Sequence, residues 1–165
     1  MKKFFLFLTL LLTVVALPSC NDDDADDNDA PLTSSLIGSW RLEENTKDFM
    51  LTQFFNFKTG STFSYNYEST DMKLAKMRAW SVNGSWNVRK GVLQLSYDIS
   101  TFRSEGFSQS EEKALLESLR NNNDVLSEMN KNGRPYGNTI EFKTIDNKTV
   151  LILTGINGYF MRVGN

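Results

Sequence analysis

Phe63-Ser64-Tyr65-Asn66-Tyr67-Glu68 alternates ring and polar residue without a break. A period of two places every ring on one face of an extended strand and every polar group on the other. The same period recurs on both sides of this segment. Upstream, Leu51 to Lys58 carries Phe55 and Phe57 on one face, and Lys58-Thr59-Gly60-Ser61 turns it into the aromatic strand. A first strand runs from Leu36 to about Glu44. Downstream, a fourth covers Trp80 to Val88, and Arg89-Lys90-Gly91 leads to a fifth in which Leu93, Leu95 and Tyr97 alternate with Gln94, Ser96 and Asp98. Thr139–Ile145, Thr149–Thr154 and Tyr159–Val163 complete the set, with Asp146-Asn147-Lys148 and Gly155-Ile156-Asn157-Gly158 as their hairpins. Asn83-Gly84 is a strong hairpin signal, but turning there would leave two very short strands. Gly84 is therefore expected to mark a bulge or a close backbone approach inside the fourth strand.

Between strands five and six the period changes. Ser108 and Glu111 have capping-box spacing, and Leu115, Leu116 and Leu119 follow, so a helix is expected from Gln109. Asn121-Asn122-Asn123 is expected to end it, and Asp124 to cap a second short helix carrying Val125, Leu126 and Met129 that stops before Gly133. This pair reads as a lid or plug over one end of the sheet, or as a surface helix packed on the outside. The fold class is all-β: an eight-stranded up-and-down antiparallel barrel over residues 34–165, with a helical insertion between strands five and six. Closure removes the exposed edges of such a sheet. Eight strands enclose a space that side chains either fill or leave just wide enough for one small ligand. The cavity candidates are Phe55, Phe57, Phe63, Tyr65, Tyr67, Trp86, Leu95, Tyr97 and Phe142. Rings of that size offer stacking surfaces, and they also suffice to pack a small barrel.

The N-terminus specifies an address. Residues 1–19 have a basic start at Lys2 and Lys3, an apolar run from Phe4 to Leu17 and a small residue at Ser19, the layout of a secretory signal. The apolar run would span about 21 Å as a helix, short of a hydrocarbon core of roughly 30 Å. Leu17-Pro18-Ser19-Cys20 resembles the end of a bacterial lipoprotein signal, which implies that Cys20, the chain's single cysteine, is lipidated and becomes the first mature residue. Residues 20–33 then form an acidic tether, expected to be disordered from Asn21 to Ala30 because no apolar residue larger than alanine is present there to build a core. The tether resembles the export signal of surface lipoproteins of the Bacteroidota type. An outer-membrane, lipid-anchored location is expected, on the cell surface or on the periplasmic face. Calcium binding by Asp22, Asp24 and Asp26 fails, because Asp27 stands where a calcium loop needs glycine and Thr33 where it needs glutamate.

Beyond residue 30, fourteen acidic residues face sixteen Lys and Arg, so the folded part is nearly neutral. No basic stripe marks a nucleic-acid binder, and a single cysteine allows no internal disulfide.

Leu36-Ile37-Gly38-Ser39-Trp40-Arg41-Leu42 resembles the opening Gly-x-Trp strand of lipocalins (calycins) and of the lipocalin-like domains of bacterial lipoproteins, and Gly84-Ser85-Trp86-Asn87-Val88 echoes it. The resemblance covers most of residues 36–163. It implies that Trp40, beside Gly38, closes one barrel end with Arg162 of the last strand across its ring, a structural contact. The chain departs from the family in lacking its disulfides and in placing the helix before the sixth strand.

With no histidine, and with Cys20 committed to lipid, neither a Ser-His nor a Cys-His nucleophile pair can be assembled. Glu43-Glu44 point to opposite strand faces, and Glu111-Glu112 sit in a first helical turn where the dipole favours them. The expectation is a non-enzyme without cofactor or metal. It would bind a small apolar or amphipathic ligand inside the barrel, or else act as an adaptor with a packed core that meets a cell-envelope protein or glycan.

Overall fold

The computed structural model describes residues 29–164. The signal, Cys20 and the tether up to Asn28 lie outside the described residues. Among the described residues are two helices and eight strands: α1 (Asp29–Leu36), β1 (Gly38–Asn45), β2 (Phe49–Lys58), β3 (Thr62–Asp71), β4 (Lys76–Arg89), β5 (Val92–Glu105), α2 (Gln109–Lys131), β6 (Asn138–Ile145), β7 (Lys148–Leu153) and β8 (Phe160–Val163). Each strand pairs antiparallel with the next, and β8 returns to β1 through Ser39↔Val163, Trp40↔Arg162 and Arg41↔Met161, so one sheet closes in a ring.

The alternating pattern does what its period requires. Leu51, Gln53, Phe55 and Phe57 of β2 are buried in alternation with more exposed neighbours, and Phe63 and Tyr65 of β3 stand opposite Phe57 and Phe55. Gly84 faces Phe63 across the β3–β4 ladder. A Cβ there would lie 2.1 Å from the Ser96 carbonyl oxygen and 2.6 Å from Phe63 Cε1, so the position is a close approach that only glycine permits. The ladder between β4 and β5 breaks nearby. Ser81 faces Arg103 and Asn83 faces Asp98, so the residues between Asp98 and Arg103 are more than Val82 alone can match; Ile99 to Thr101 form a bulge and Phe102 after it turns back into the core. The bulge is held by Asp98 Oδ1, which accepts from the Ser100 amide and hydroxyl, and by Thr101 Oγ1, which accepts from the Asn83 amide.

Three expectations need correction. Residues 29–33 are not loose tether: they belong to α1, because the Asp29 carboxylate accepts from the Lys90 and Gly91 amides at 2.7 and 2.8 Å and pins the helix to the β4–β5 turn. Leu36 ends that helix instead of opening β1, and its carbonyl accepts from Trp40 Nε1 at 2.8 Å. The two short helices of the insertion are one continuous helix, α2, running through Asn121-Asn122-Asn123. Its start agrees with the sequence reading: Ser108 caps it, and the capping box with Glu111 is complete.

Strands β3, β4 and β5 also extend beyond their apolar stretches, to Asp71, Lys76 and Glu105. Backbone hydrogen bonds propagate a hairpin through polar sequence once an aromatic segment has fixed its register.

Candidate functional site

The ring interior is the site anticipated from the alternating rings. Phe55 sits at its middle, with ring centroids at 4.5 Å to Tyr65, 5.3 Å to Phe57, 5.6 Å to Phe160 and 6.3 Å to Phe63. Contacts continue outward from Phe57 to Trp86 at 5.4 Å, from Phe63 to Tyr97 at 5.7 Å and from Tyr65 to Trp80 at 4.9 Å. Tilted and edge-on geometries of this kind suit ring quadrupoles. Of the anticipated cavity residues, Phe55, Phe57, Phe63, Tyr65, Trp86, Leu95 and Tyr97 are buried in this one cluster. Tyr67 is half-buried beside Trp80 at 6.0 Å, and Phe142 is half-buried beside Trp40 at 5.7 Å, so both lie at its margins. Trp80, Phe102 and Phe160 add further rings to the cluster and are not among the cavity candidates expected from the sequence. Phe102 follows the bulge and Phe160 lies in a short last strand, where the alternation was too brief to assign a face.

Little space is left among these rings. A pocket beside Phe55, Leu95 and Tyr97 holds about 20 Å³, room for about one water. One interior polar pair is matched: Tyr65 Oη donates to Gln53 Oε1 at 2.9 Å. Burial holds the Tyr65 and Tyr97 hydroxyls well above the ordinary tyrosine pKa, so both stay neutral.

At one end of the ring, Arg162 lies over the Trp40 ring at 5.4 Å and donates from Nη2 to the Ile37 carbonyl at 2.7 Å. Trp40 has no exposed surface. Gly38, at φ +132°, makes this possible, since a Cβ there would lie 3.2 Å from Arg162 Nη2.

The wall has a seam that the sequence did not reveal. Strand β5 pairs with β6 only through Val92↔Thr139 and Leu93↔Asn138, and beyond Leu93 its backbone has no strand partner on that side. Helix α2 supplies one. Asn122 Nδ2 donates to the Leu95 carbonyl at 2.9 Å; Asn123 Oδ1 accepts from the Tyr97 amide at 2.8 Å while its Nδ2 donates to the Tyr97 carbonyl at 2.7 Å. The Asn123 carboxamide thus copies the donor-acceptor pair that a strand residue would present. Leu115 and Leu119 of the same helix enter the core cluster. The insertion is therefore part of the wall along β5, not a lid over an end.

The amino end of α2 is bound to the sheet by charge. Arg78 Nη2 meets Glu111 Oε1 at 2.8 Å and its guanidinium lies over Phe107 at 5.6 Å, while Ser104 donates to Glu112 Oε2 at 2.9 Å. Hydrogen bonds from the Ser108 amide and hydroxyl, aided by Arg78, hold the Glu111 carboxyl below its ordinary pKa.

Outside the ring, Met50, Met72, Leu74 and Met77 are 43, 53, 73 and 52% exposed. Met50 and Met77 flank Thr70 in register, Met72 donates from its amide to the Asp48 carbonyl, and Leu74 lies in the β3–β4 turn. They gather at the end of the ring opposite the β4–β5 turn that holds α1. The chain matches no protein-family model and no curated protein.

Proposed function

We propose that this protein is a lipid-anchored, non-catalytic adaptor of the bacterial cell envelope, built on a lipocalin-like up-and-down barrel whose packed core holds no ligand. The observation that carries this reading is the interlocked ring cluster around Phe55, with a residual pocket of about 20 Å³. Ligand-binding pockets are generally of about 300–1,000 Å³. The pocket beside Phe55 is far below that range, which counts against an apolar ligand held inside the ring.

The lipocalin-like assignment rests on the Gly38-Ser39-Trp40 opening, on Arg162 across Trp40 and on the consecutive strand pairing. The anchor rests on the signal and on Cys20, and the acidic tether that follows supports an outer-membrane location, on the surface or on the periplasmic face. On this reading the tether leads to the ring end that holds Asp29, and β4, with 14 residues, carries the opposite end away by up to about 45 Å of extended chain. That far end presents Met50, Met72, Leu74 and Met77, flexible apolar side chains that adapt to a protein partner.

Incorporating a photo-crosslinking residue at Leu74 in cells is expected to give a discrete adduct with an envelope protein, and the same residue at the remote, exposed Glu141 is not. No adduct at Leu74, or equal and diffuse labelling at both sites, would contradict the adaptor. Cys20→Ser is expected to abolish labelling by a fatty-acid precursor and to release the chain from membranes; continued labelling would remove the anchor.

A further inference from the structure

The outer surface of β4 and β5 and the second half of α2 enclose a groove of about 330 Å³. Trp86 and Leu126 give it apolar lining, and its polar lining is Ser85, Asn87, Gln94 and Ser96 from the sheet and Asn123, Ser127 and Asn130 from the helix. These are hydroxyls and carboxamides, each able to donate and accept, and none is charged. The volume falls in the range of small-molecule sites.

One wall residue is incomplete. Gln94 is 2% exposed, and its Oε1 is buried without a hydrogen-bond partner. Asn130 Oδ1 accepts from Gln94 Nε2 at 3.0 Å and from Arg89 Nη1 at 3.4 Å, an arrangement that uses the Gln94 nitrogen and leaves its Oε1 unpaired. A buried acceptor without a donor is disfavoured unless something in the adjoining space supplies a hydrogen.

We infer that this groove binds a neutral saccharide, with one sugar hydroxyl donating to Gln94 Oε1 and others exchanging hydrogen bonds with the surrounding amides and hydroxyls. Walls without charge do not select a phosphate or an acidic sugar. Trp86 and Leu126, only 3 and 7% exposed, offer too little apolar surface to hold a lipid chain but leave a ring edge beside the polar groups. The inference deepens the adaptor reading, on which it rests only in placing recognition on the outer surface; the methionine-rich end is a separate contact.

The test is amide and side-chain NMR of the full chain titrated with soluble oligosaccharides of glucose, of mannose and of N-acetylglucosamine. At least one is expected to give saturable shifts centred on the Gln94 carboxamide, Ser127 and Asn130. Gln94→Leu, which removes the orphan acceptor at similar volume, and Ser127→Tyr, which fills the groove from an exposed position, should each weaken binding about tenfold, the effect of one or two lost hydrogen bonds. Failure of all three probes to saturate, shifts centred elsewhere, or parental affinity in both variants would overturn the inference, and a groove holding ordered water alone gives the first of these results. Loss of sugar binding with the Leu74 adduct retained removes the saccharide site and leaves the adaptor. Sugar binding without the adduct does the reverse.

Discussion

Asn123 joins a helix to a strand through one carboxamide, and its position in a run of three asparagines explains why the sequence misleads there. Asparagine is a poor helix interior residue because its side chain competes for nearby backbone groups. In α2 that competition is absent, since Asn122 and Asn123 are engaged by Leu95 and Tyr97 across the seam. Asn123→Ala leaves the Tyr97 amide and carbonyl unpaired and is expected to cost about 2–4 kcal/mol in urea unfolding. Asn123→Asp, which keeps only the acceptor, should fall between that variant and the parent. Equal stability of all three would mean that water replaces the helix at the seam. Gly84→Ala should be at least as damaging, because its methyl would meet the Ser96 carbonyl and the Phe63 ring together. The buried tyrosines carry a pH signature. Their folded pKa values are raised above the ordinary 10.0, so the stability they contribute is complete below that value and is lost as pH rises beyond it. Phenolate absorbance of Tyr65 and Tyr97 is expected to appear only together with the loss of near-ultraviolet dichroism; ionisation around 10.0 in an intact fold would contradict their burial.

Helix α2 covers the length of β5 that β6 leaves unpaired, and its amino end is the part most plainly written in the sequence. Ser108 and Glu111 announce the start at Gln109, and both capping bonds form. Ser108→Ala should cost about 1 kcal/mol. Glu111 has a folded pKa below its ordinary 4.5, so its contribution is present above that value and is lost as pH falls through the folded one. Acid titration followed by hydrogen exchange should therefore show α2 loosening before the aromatic strands, and Glu111→Gln should remove most of that pH dependence. Simultaneous opening of helix and strands in the parent would show that Glu111 does not govern the docking. What the sequence could not convey is where the helix lies. Position along β5 follows from how few residues β6 pairs with: β6 begins at Asn138 opposite Leu93 and runs past the start of β5 at Val92, a long-range register that no local pattern encodes.

For the whole molecule, eight strands were legible because alternation and turn residues are local signals. They close into one ring as expected, except along β5 beyond Leu93, where α2 instead of a strand covers the edge. Whether the ring is hollow was not legible: period two says that Phe55, Phe57, Phe63 and Tyr65 share a face, not whether facing rings meet. They do meet, and Phe55→Ala should cost about 3–5 kcal/mol because four ring contacts lose their partner at once. The packed centre is tested most directly by titrating the full chain with a fluorescent long-chain fatty acid while following tryptophan emission, since Trp80 and Trp86 border the ring cluster. No saturable quenching or energy transfer is predicted at any probe concentration below micelle formation. Saturable one-to-one transfer, lost on blocking the interior, would contradict a filled barrel.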